Sequence, residues 1–445
     1  MHAVDTQTLY ELQLESKSNK ENSILNYFDR TKTEGGREIL KKLLHAPKKS
    51  ISEIHSFHTL LKFVSGHSNL WTIDLSRVYV AASESYYTSN IAYSMSQDVF
   101  QHYWDTFWFS WRNPAEFYIV QSGLVATLKI VRYMRDFTSR FEHVEIPEYS
   151  RKDFEFLRDF LHSSAINSFL KTEENKITIR NVYHQDYYFR VSQKESFRRL
   201  LDIFYTFDAY SSIVLTQQKY SLSFPVFATQ ENTFEATNLW HPLIANPVCN
   251  TIKPGEKTSL CLLSGANTSG KTTFLKACGI AVYLAHLGWP VPAVNLRLSF
   301  FDALFTSVHL SDNLELGYSH FYNEMVRIKL MAEALNAGTK CMILIDELFR
   351  GTNQEDAYEC SRLVINGFLN FPDSVFLVST HIYELLESFK THPEISFRCF
   401  RTVLLENDFE NTYQIEEGIA SEKIGQLILK KSGIPELLYA KLRSK

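Results

Sequence analysis

The sequence predicts an α + α/β protein in which a helical domain, residues 1–237, precedes an α/β domain, residues 238–445, with a mainly parallel sheet. In the first region apolar residues recur at helical spacing, while glycines and β-rich runs are few. In the second region short apolar runs alternate with helical segments, the order typical of a parallel sheet. A glycine-rich loop at residues 265–273 lies between such a run and a helical segment, where phosphate-binding loops are found.

The helical region contains one short capped helix and four longer helical segments. Thr33 is placed as the N-cap of an amphipathic helix that ends before Pro47. The spacing predicts further helices over Ser52–Val64, Glu116–Phe137, Arg151–Leu170 and Glu195–Lys219. The last of these would form a rod of about 37 Å at a rise of 1.5 Å per residue. We expect its apolar stripe to be a packing surface, formed by Phe197, Leu200, Leu201, Phe204 and Phe207.

Length and composition indicate a cytoplasmic protein of two or more domains. The 445 residues exceed what one hydrophobic core usually supports. The apolar segments carry charges that the centre of a bilayer would not tolerate, and no signal peptide is recognisable, so we expect no membrane contact. The six cysteines show no C-x-x-C spacing and are expected to be reduced core residues.

The loop at residues 265–273 has the composition of a phosphate-binding loop. Its glycines let backbone N–H groups turn toward a triphosphate, and Lys271 would bring a positive charge to the β- and γ-phosphates. Thr272 would offer its hydroxyl to Mg²⁺. We therefore predict that ATP and Mg²⁺ bind here, and that the cofactor-binding residues of the loop are Gly265, Asn267, Ser269, Gly270, Lys271, Thr272 and Thr273.

Two further apolar runs end in residues that suit the same ligand. Cys341–Ile345 is followed by Asp346, which would hold Mg²⁺, and by Glu347, which would polarise the attacking water. Val375–Val378 leads to His381, which would sense the γ-phosphate. Each has a simpler interpretation, since acidic residues favour helix N-termini and a histidine can be an ordinary hydrogen-bonded residue. Three strand ends in order nevertheless favour one nucleotide site, in which the loop lysine, the glutamate and the histidine act in hydrolysis.

Four stretches of the second half, taken together, resemble the MutS family of DNA mismatch-repair ATPases. They are Gly265–Thr273, Ser311–Met325, Leu344–Asn353 and Ser379–His381, followed near the end by Gly425 and Ser432–Pro435. The resemblance implies an ABC-type P-loop ATPase that forms a homodimer through this domain. It also implies that each nucleotide lies between one subunit's phosphate loop and Ser319 of the other subunit. The spacing itself shows only that Ser319 lies between the phosphate-binding loop at residues 265–273 and the acidic pair Asp346 and Glu347.

The first half resembles the family's helical core and lever domain more faintly, at Glu21–Leu25, Asp29–Thr31, Thr33–Pro47 and Phe207–Phe227. The chain starts directly in this core, so we expect neither a mismatch-reading domain nor a connector domain. The interval between the core segments is short for full lever arms, and the DNA clamp is expected to be reduced or absent. We also expect no C-terminal helix-turn-helix extension to strengthen the dimer.

Charge and aromatic content leave the role of DNA open. The net charge is −4 for the whole chain and −1 for residues 1–235, so no basic excess points to phosphate binding. The candidate contacts to DNA phosphates are Arg30–Lys49, Lys129, Arg132, Arg135, Arg140, Arg198 and Arg199. The simpler interpretation is that these residues lie on solvated helix faces. The aromatic cluster Tyr103–Trp111 would pack in the helical core, which we favour, or stack unpaired bases or a partner protein.

The sequence favours an ATP-hydrolysing MutS-like dimer that couples nucleotide state to DNA binding, in mismatch repair or related DNA processing. DNA and a DNA-repair protein are the expected partners. The alternative is a nucleotide-gated protein-interaction ATPase that does not contact DNA, which the missing reader and the neutral charge favour. A small-molecule kinase fits less well, because Glu347 directly follows Asp346 and no lid for a phosphate acceptor is evident.

Overall fold

The computed structural model describes all residues except 2, 16–21, 89–98, 172–178, 231, 254–257, 309–319, 405–408, 421–428, 430–431 and 440–445. The chain divides into two compact units. The sheet unit comprises Met1–Tyr27, Ala46–Ile54 and Gln217–Lys445, and the helical unit comprises Phe28–His45 and His55–Thr216. The protein is therefore a mixed α + β structure, as predicted at that level.

The division into two domains after residue 237 stays a prediction. The two compact units do not divide the chain at that residue. Residues 1–27 and 217–237 belong to the sheet unit. The N-terminal residues do so because a strand of two residues, Ala3–Val4, pairs with the sheet. A strand this short leaves no periodic pattern in the sequence.

The described helices and strands follow one another along both units. The helices are α1 (Thr6–Glu11), α2 (Ile24–Phe28), α3 (Glu34–Leu44), α4 (Ile51–Gly66), α5 (Arg77–Thr88), α6 (Val99–Arg112), α7 (Pro114–Ser139), α8 (Glu148–Leu161), α9 (Ser164–Leu170), α10 (Ile179–Tyr187), α11 (Lys194–Tyr220), α12 (Lys271–Leu287), α13 (His320–Asn336), α14 (Gln354–Phe368), α15 (Tyr383–Phe389) and α16 (Ile434–Tyr439), with a π-helical turn at Tyr188–Ser192. The strands are β1 (Ala3–Val4), β2 (Val226–Phe227), β3 (Phe234–Leu239), β4 (Asn250–Ile252), β5 (Leu260–Gly265), β6 (Asn295–Leu298), β7 (Ala303–Ser307), β8 (Cys341–Asp346), β9 (Val375–Ser379), β10 (Ile395–Leu404) and β11 (Phe409–Glu417). Among these helices, none combines the length and the apolar character that a membrane span needs.

Most of the predicted helices are confirmed to within a few residues, as α3, α4, α7 and α11. The prediction of one helix over Arg151–Leu170 is wrong, because α8 and α9 are separate. His162 leaves helical geometry and Ser163 has an extended backbone with ψ 150°. Ser163 is the N-cap residue of α9, and its non-helical backbone interrupts the run of helical hydrogen bonds although its hydroxyl makes no capping contact.

The helical unit has an aromatic core around α11. The predicted packing stripe of this helix is buried, as expected, at Phe197, Leu200, Leu201, Phe204 and Phe207. The expectation that the Tyr103–Trp111 cluster packs in the core is wrong for the four residues Trp104, Phe107, Trp108 and Trp111, which are 42–72% exposed. Phe109 is buried, and the side chain of Tyr103 lies outside the described part of the chain.

The sheet unit contains a seven-stranded sheet in the order β1-β7-β8-β9-β5-β10-β11. Its described pairings are parallel except for the antiparallel pair β10 and β11. A second sheet has the order β2-β6-β3-β4. All six cysteines are free, and four are buried, but Cys249 is exposed, so the expectation of a core position is wrong for that residue.

Candidate functional site

The register of the parallel sheet brings the predicted site residues to one edge. Ser379, at the end of β9, pairs with Leu263 of β5 on one side and with Asp346 of β8 on the other. The carboxyl ends of these three strands therefore lie side by side. Ligands of open α/β sheets bind at such an edge.

The loop after β5 adopts a backbone that its glycines make possible. Gly265 and Gly270 have φ of 143° and 106°, values that other residues rarely adopt. A Cβ on Gly265 would also lie only 2.9 Å from the hydroxyl of Ser269. Helix α12 begins directly after the loop at Lys271, so its free N–H groups lie beside the loop.

Two polar side chains of the loop, Lys271 and Ser269, are buried. The ammonium of Lys271 donates to the carbonyls of Gly265 and Ala266, at 2.8 and 3.0 Å. Burial lowers the pKa of Lys271, although the nearby Glu347 and Asp346 act against this. The hydroxyl of Ser269 is buried without a hydrogen-bond partner. A phosphate group would satisfy both the ammonium and this hydroxyl, so the residues present fit a nucleotide.

The two predicted Mg²⁺ ligands contact each other. Thr272 donates its hydroxyl to Oδ2 of Asp346 at 2.5 Å, and Ser379 donates to Oδ1 at 2.5 Å. Asp346 is almost completely buried, so this carboxylate is held in one orientation. Among the described residues no cluster of three or more His, Cys, Asp or Glu is placed to hold a metal. A magnesium ion here would depend on this hydroxyl, this carboxylate, water and phosphate oxygens.

Glu347 is held by its neighbours on both sides. Its backbone has φ 64° and its N–H donates to the hydroxyl of Ser379 at 3.2 Å. Its carboxylate lies 2.9 Å from Nε of Arg350 and 3.3 Å from Nδ1 of His381. The hydrogen bond from His381 is the main cause of a lowered pKa of Glu347, and the same bond raises the pKa of His381.

Arg350 is a site residue to which the sequence assigned no role. One of its terminal nitrogens lies 3.3 Å from Asp346 Oδ2, so its guanidinium bridges both carboxylates. The signal was present in the sequence, because Arg350 lies four residues after Asp346 in the loop that follows β8. The positive φ of Glu347 and Phe349 lets that loop turn back on itself.

A cavity of about 540 Å³ opens beside these groups. Its polar part is lined by Asn267, Lys271, Thr272, Thr273, Glu347 and Arg350. Its apolar part is lined by Trp240, Ile244, Pro247, Val248, Phe400 and Tyr413, which come from the segment after β3 and from the β10–β11 pair. A volume of this size suits a small organic ligand with one charged and one apolar end.

The structure thus brings together the seven loop residues, the acidic pair and the histidine that the sequence singled out. His381 is 61% exposed and reaches the site through Glu347. Ser319 lies outside the described residues, as do Ser311–Leu314 and Gly425. The catalytic, cofactor-binding and metal-binding roles of all these residues stay predictions.

Comparison with known proteins points to one family. Residues 261–444 match the family model of MutS domain V. The DNA mismatch repair protein MutS of Thermotoga maritima is 30% identical over 236 residues, which is 52% of this chain and 29% of that protein. The protein of the same name from Streptococcus sanguinis is 30% identical over 247 residues, or 53% of this chain and 28% of that protein.

A third relative, the DNA mismatch repair protein MutS of Streptococcus pneumoniae serotype 19F, is 34% identical over 197 residues. The match covers 43% of this chain and 22% of that protein. The chain therefore spans less than a third of the length of the curated relatives it matches. The domain match and these relatives agree in what the chain is similar to, which is the MutS family.

Proposed function

We propose that this chain is an ATP-hydrolysing MutS-like protein whose nucleotide state is coupled to DNA binding, in mismatch repair or a related DNA process. The contact between Thr272 and Asp346 carries the proposal, because it joins the start of α12 to the end of β8 at the atoms that would hold Mg²⁺. The largely parallel sheet supports a P-loop ATPase domain of the ABC type.

The phosphates would bind in the loop. The ammonium of Lys271 leaves the carbonyls of Gly265 and Ala266 and turns to the β- and γ-phosphate oxygens. The hydroxyl of Ser269 gains the acceptor that it lacks. The apolar part of the cavity takes the nucleobase. Bound Mg²⁺ neutralises charge on the β- and γ-phosphates.

Hydrolysis would depend on positioning and charge, without a covalent intermediate. The carboxylate of Glu347 accepts a hydrogen bond from the attacking water and orients it. His381 contacts that carboxylate through Nδ1 and would respond to the γ-phosphate. Ser319 would contact the nucleotide of a second copy of the chain, so that a homodimer forms two composite sites.

A second candidate function is a nucleotide-gated protein-interaction ATPase that does not contact DNA. It is favoured by three basic residues of α7, which bond within the helical unit. Arg132 donates to the carbonyl of Leu170, Arg135 donates to the side chain of Asn167, and Lys129 donates to Tyr79. Cations committed to such contacts are poorly placed to bind a DNA backbone.

The exposed aromatic face of α6 supports a DNA role instead. Trp104, Phe107, Trp108 and Trp111 contact one another edge to face along one helix. Exposed aromatic rings can stack on unpaired bases without a large positive charge. The helical unit thus offers a surface for single-stranded DNA more readily than one for duplex phosphates.

The test is fluorescence anisotropy of labelled homoduplex, mismatched, branched and single-stranded DNA, with and without Mg²⁺·ATP, at two salt concentrations. The proposal expects nucleotide-dependent binding that weakens with salt, together with ATP turnover that Lys271→Ala abolishes. Turnover without binding to any DNA would support the nucleotide-gated interaction protein. If neither turnover nor ATP binding is measured, the ATPase proposal fails as a whole.

A further inference from the structure

The loop after β8 carries a positive charge back to the two carboxylates that precede it. Nε of Arg350 lies 2.9 Å from Oε2 of Glu347, and one of its terminal nitrogens lies 3.3 Å from Oδ2 of Asp346. The same oxygen of Asp346 accepts the hydroxyl of Thr272. The guanidinium of Arg350 therefore contacts the carboxylate oxygen that the proposed function assigns to Mg²⁺.

The two carboxylates are much less exposed than the guanidinium that contacts them. The side chains of Asp346 and Glu347 are 2% and 13% exposed, whereas that of Arg350 is 45% exposed. A buried carboxylate is costly without a positive charge beside it. The ammonium of Lys271 donates to two carbonyls of its own loop. Within the part of the chain that the structure describes, Arg350 is thus the cation in direct contact with Asp346.

The backbone of Arg350 is held by α13, while its side chain extends into the cavity. Its N–H donates to Oε1 of Glu324 at 3.4 Å, and Glu324 is 6% exposed. The preceding residue, Phe349, is buried and packs against Phe321, with ring centroids 5.5 Å apart. The half-exposed guanidinium lines the cavity beside the phosphate-binding loop. Its side chain can therefore exchange one acceptor for another while the loop stays in place.

We propose that Arg350 competes with the divalent cation for Asp346 and Glu347, and that it leaves these carboxylates for the phosphate groups of the nucleotide. A guanidinium and a divalent cation that share one carboxylate oxygen repel each other strongly. Phosphate oxygens accept a guanidinium through two parallel hydrogen bonds, so they replace the contacts that Arg350 gives up. Metal and nucleotide consequently bind more tightly together than either binds alone. This inference rests on the proposed function, in which Thr272 and Asp346 hold Mg²⁺.

The test measures binding of Mn²⁺ to the full chain without nucleotide, by electron paramagnetic resonance of the free ion. Arg350→Gln removes the competing charge and should bind Mn²⁺ about tenfold more tightly than the wild type. Adding Asp346→Asn to this variant should abolish the gain, because the metal then lacks its carboxylate. The factor by which Mg²⁺ tightens binding of a fluorescent ATP analogue should be smaller in Arg350→Gln by about the same tenfold, since the coupling between two ligands is reciprocal.

Arg362→Gln is the matched control. Arg362 is 48% exposed and contacts Glu359, three residues earlier, at 2.9 Å, but that carboxylate is 57% exposed. The substitution therefore removes a similar ion pair from a carboxylate that water already solvates. Arg362→Gln should leave the affinity for Mn²⁺ unchanged, and its melting temperature shows whether Arg350→Gln is folded equally well.

A conservative variant separates the effect of charge from that of shape. Arg350→Lys keeps the positive charge but cannot bridge two carboxylates as a guanidinium does. Its affinity for Mn²⁺ should lie between those of the wild type and Arg350→Gln.

The inference is wrong if Arg350→Gln binds Mn²⁺ no more tightly than the wild type, or if the gain persists when Asp346→Asn is added. Neither result would alter binding and turnover of Mg²⁺·ATP by the wild type, so the proposed function would stand. A wild-type chain that neither binds nor hydrolyses Mg²⁺·ATP would instead remove the proposed function and the role of phosphate. Competition for the carboxylates would still be decided by Mn²⁺ alone.

Discussion

Buried polar groups are paired differently in the helical unit and in the candidate site of the sheet unit. In the helical unit, Asp208 of α11 accepts the N–H groups of Lys32 and Thr33 and the hydroxyl of Thr33. Thr33 in turn caps α3 by accepting the N–H of Gly36. In the site, Lys271 is turned onto carbonyls of its own loop, although a ligand of higher charge would suit it better.

This difference separates groups that hold a structure from groups that exchange partners. Opening any one contact of a buried carboxylate that is saturated by donors costs free energy. Such a carboxylate therefore fixes the helix next to it. Half-exposed partners such as Arg350 and His381 can leave their carboxylates at small cost, because water replaces the contact. We therefore expect substitutions in the site to change turnover and substitutions in the helical unit to change stability.

The largest effect is expected for Glu347→Gln. The variant keeps the size of the side chain but cannot polarise water as a carboxylate does. Turnover should fall by about 100-fold or more, the usual contribution of a general base. ATP binding should persist and a nucleotide-bound dimer should accumulate, as measured by stopped-flow turnover and by sedimentation.

The matched control for this substitution is Glu359→Gln. Glu359 is exposed on α14 and pairs with Arg362 at 2.9 Å, outside the cavity lining. Its turnover should equal that of the wild type. Wild-type turnover in Glu347→Gln would remove this residue from its proposed role.

The next effect is on stability, for Gly36→Ala in the helical unit. A Cβ at this position would lie 2.3 Å from Oδ2 of Asp208, inside contact distance of the carboxylate that fixes α3. The clash should lower the free energy of unfolding by about 1–3 kcal/mol. ATP affinity should change little, because the loop residues belong to the other unit.

Gly66→Ala provides the same chemical change without the clash. A Cβ on Gly66 meets nothing within 4 Å, so chemical denaturation should give a free energy of unfolding close to that of the wild type. If both variants are equally stable, the contact of Asp208 with α3 does not limit the stability of the helical unit. If Gly36→Ala instead weakens ATP binding without lowering the free energy of unfolding, the expectation that substitutions in the helical unit change only stability is wrong.

The sequence could predict which residues meet at the candidate site, because those residues are specified locally. The spacing of Gly265, Gly270 and Lys271 reflects one loop geometry, and Asp346 directly ends an apolar strand. Hydrogen bonds between residues that are far apart in the sequence leave no such local pattern. Nothing in the spacing indicates that Glu11 bonds to a strand almost three hundred residues later.

The errors of the sequence analysis have related physical causes. The break at Ser163 follows from a single cap position inside an otherwise helical pattern. The exposure of Trp108 and Trp111 was missed because apolar spacing predicts a helix face but not what covers that face. Tertiary contacts, rather than local preference, decide both the edge strand β1 and the uncovered face of α6.

A smaller effect, and one that depends on pH, is expected at His381. The hydrogen bond with Glu347 raises the pKa of His381 above its usual 6.5 and lowers that of Glu347 below its usual 4.5. The ion pair is therefore complete between the two usual pKa values, from pH 4.5 to pH 6.5. It is lost as the pH rises through the raised pKa of His381. It is also lost as the pH falls through the lowered pKa of Glu347. Nuclear magnetic resonance titration of the His381 ring should show the raised pKa, and Glu347→Gln should return it toward 6.5.

The functional part of this prediction uses His381→Gln. Removing the charge that holds Glu347 should slow turnover by about tenfold, since an exposed contact of this kind contributes little more than that to positioning. The loss should be smaller above the raised pKa, where the wild-type pair is already broken. A variant with wild-type turnover at every pH would show that the contact has no role in hydrolysis.

The smallest effect on stability is expected for Trp111→Ala, and it tests what the helical unit leaves uncovered. Trp111 is 72% exposed, so the free energy of unfolding should stay within about 0.5 kcal/mol of the wild type. Trp71→Ala is the contrasting variant, because Trp71 is buried among Phe63, Phe137, Phe141, Phe154 and Phe207. This substitution should lower the free energy of unfolding by about 3–5 kcal/mol.

If the face of α6 stacks on unpaired bases, Trp111→Ala should weaken binding to single-stranded DNA by about tenfold. Unchanged affinity in a stable variant would assign that face to a protein partner, and a large loss of stability would show that it is covered after all.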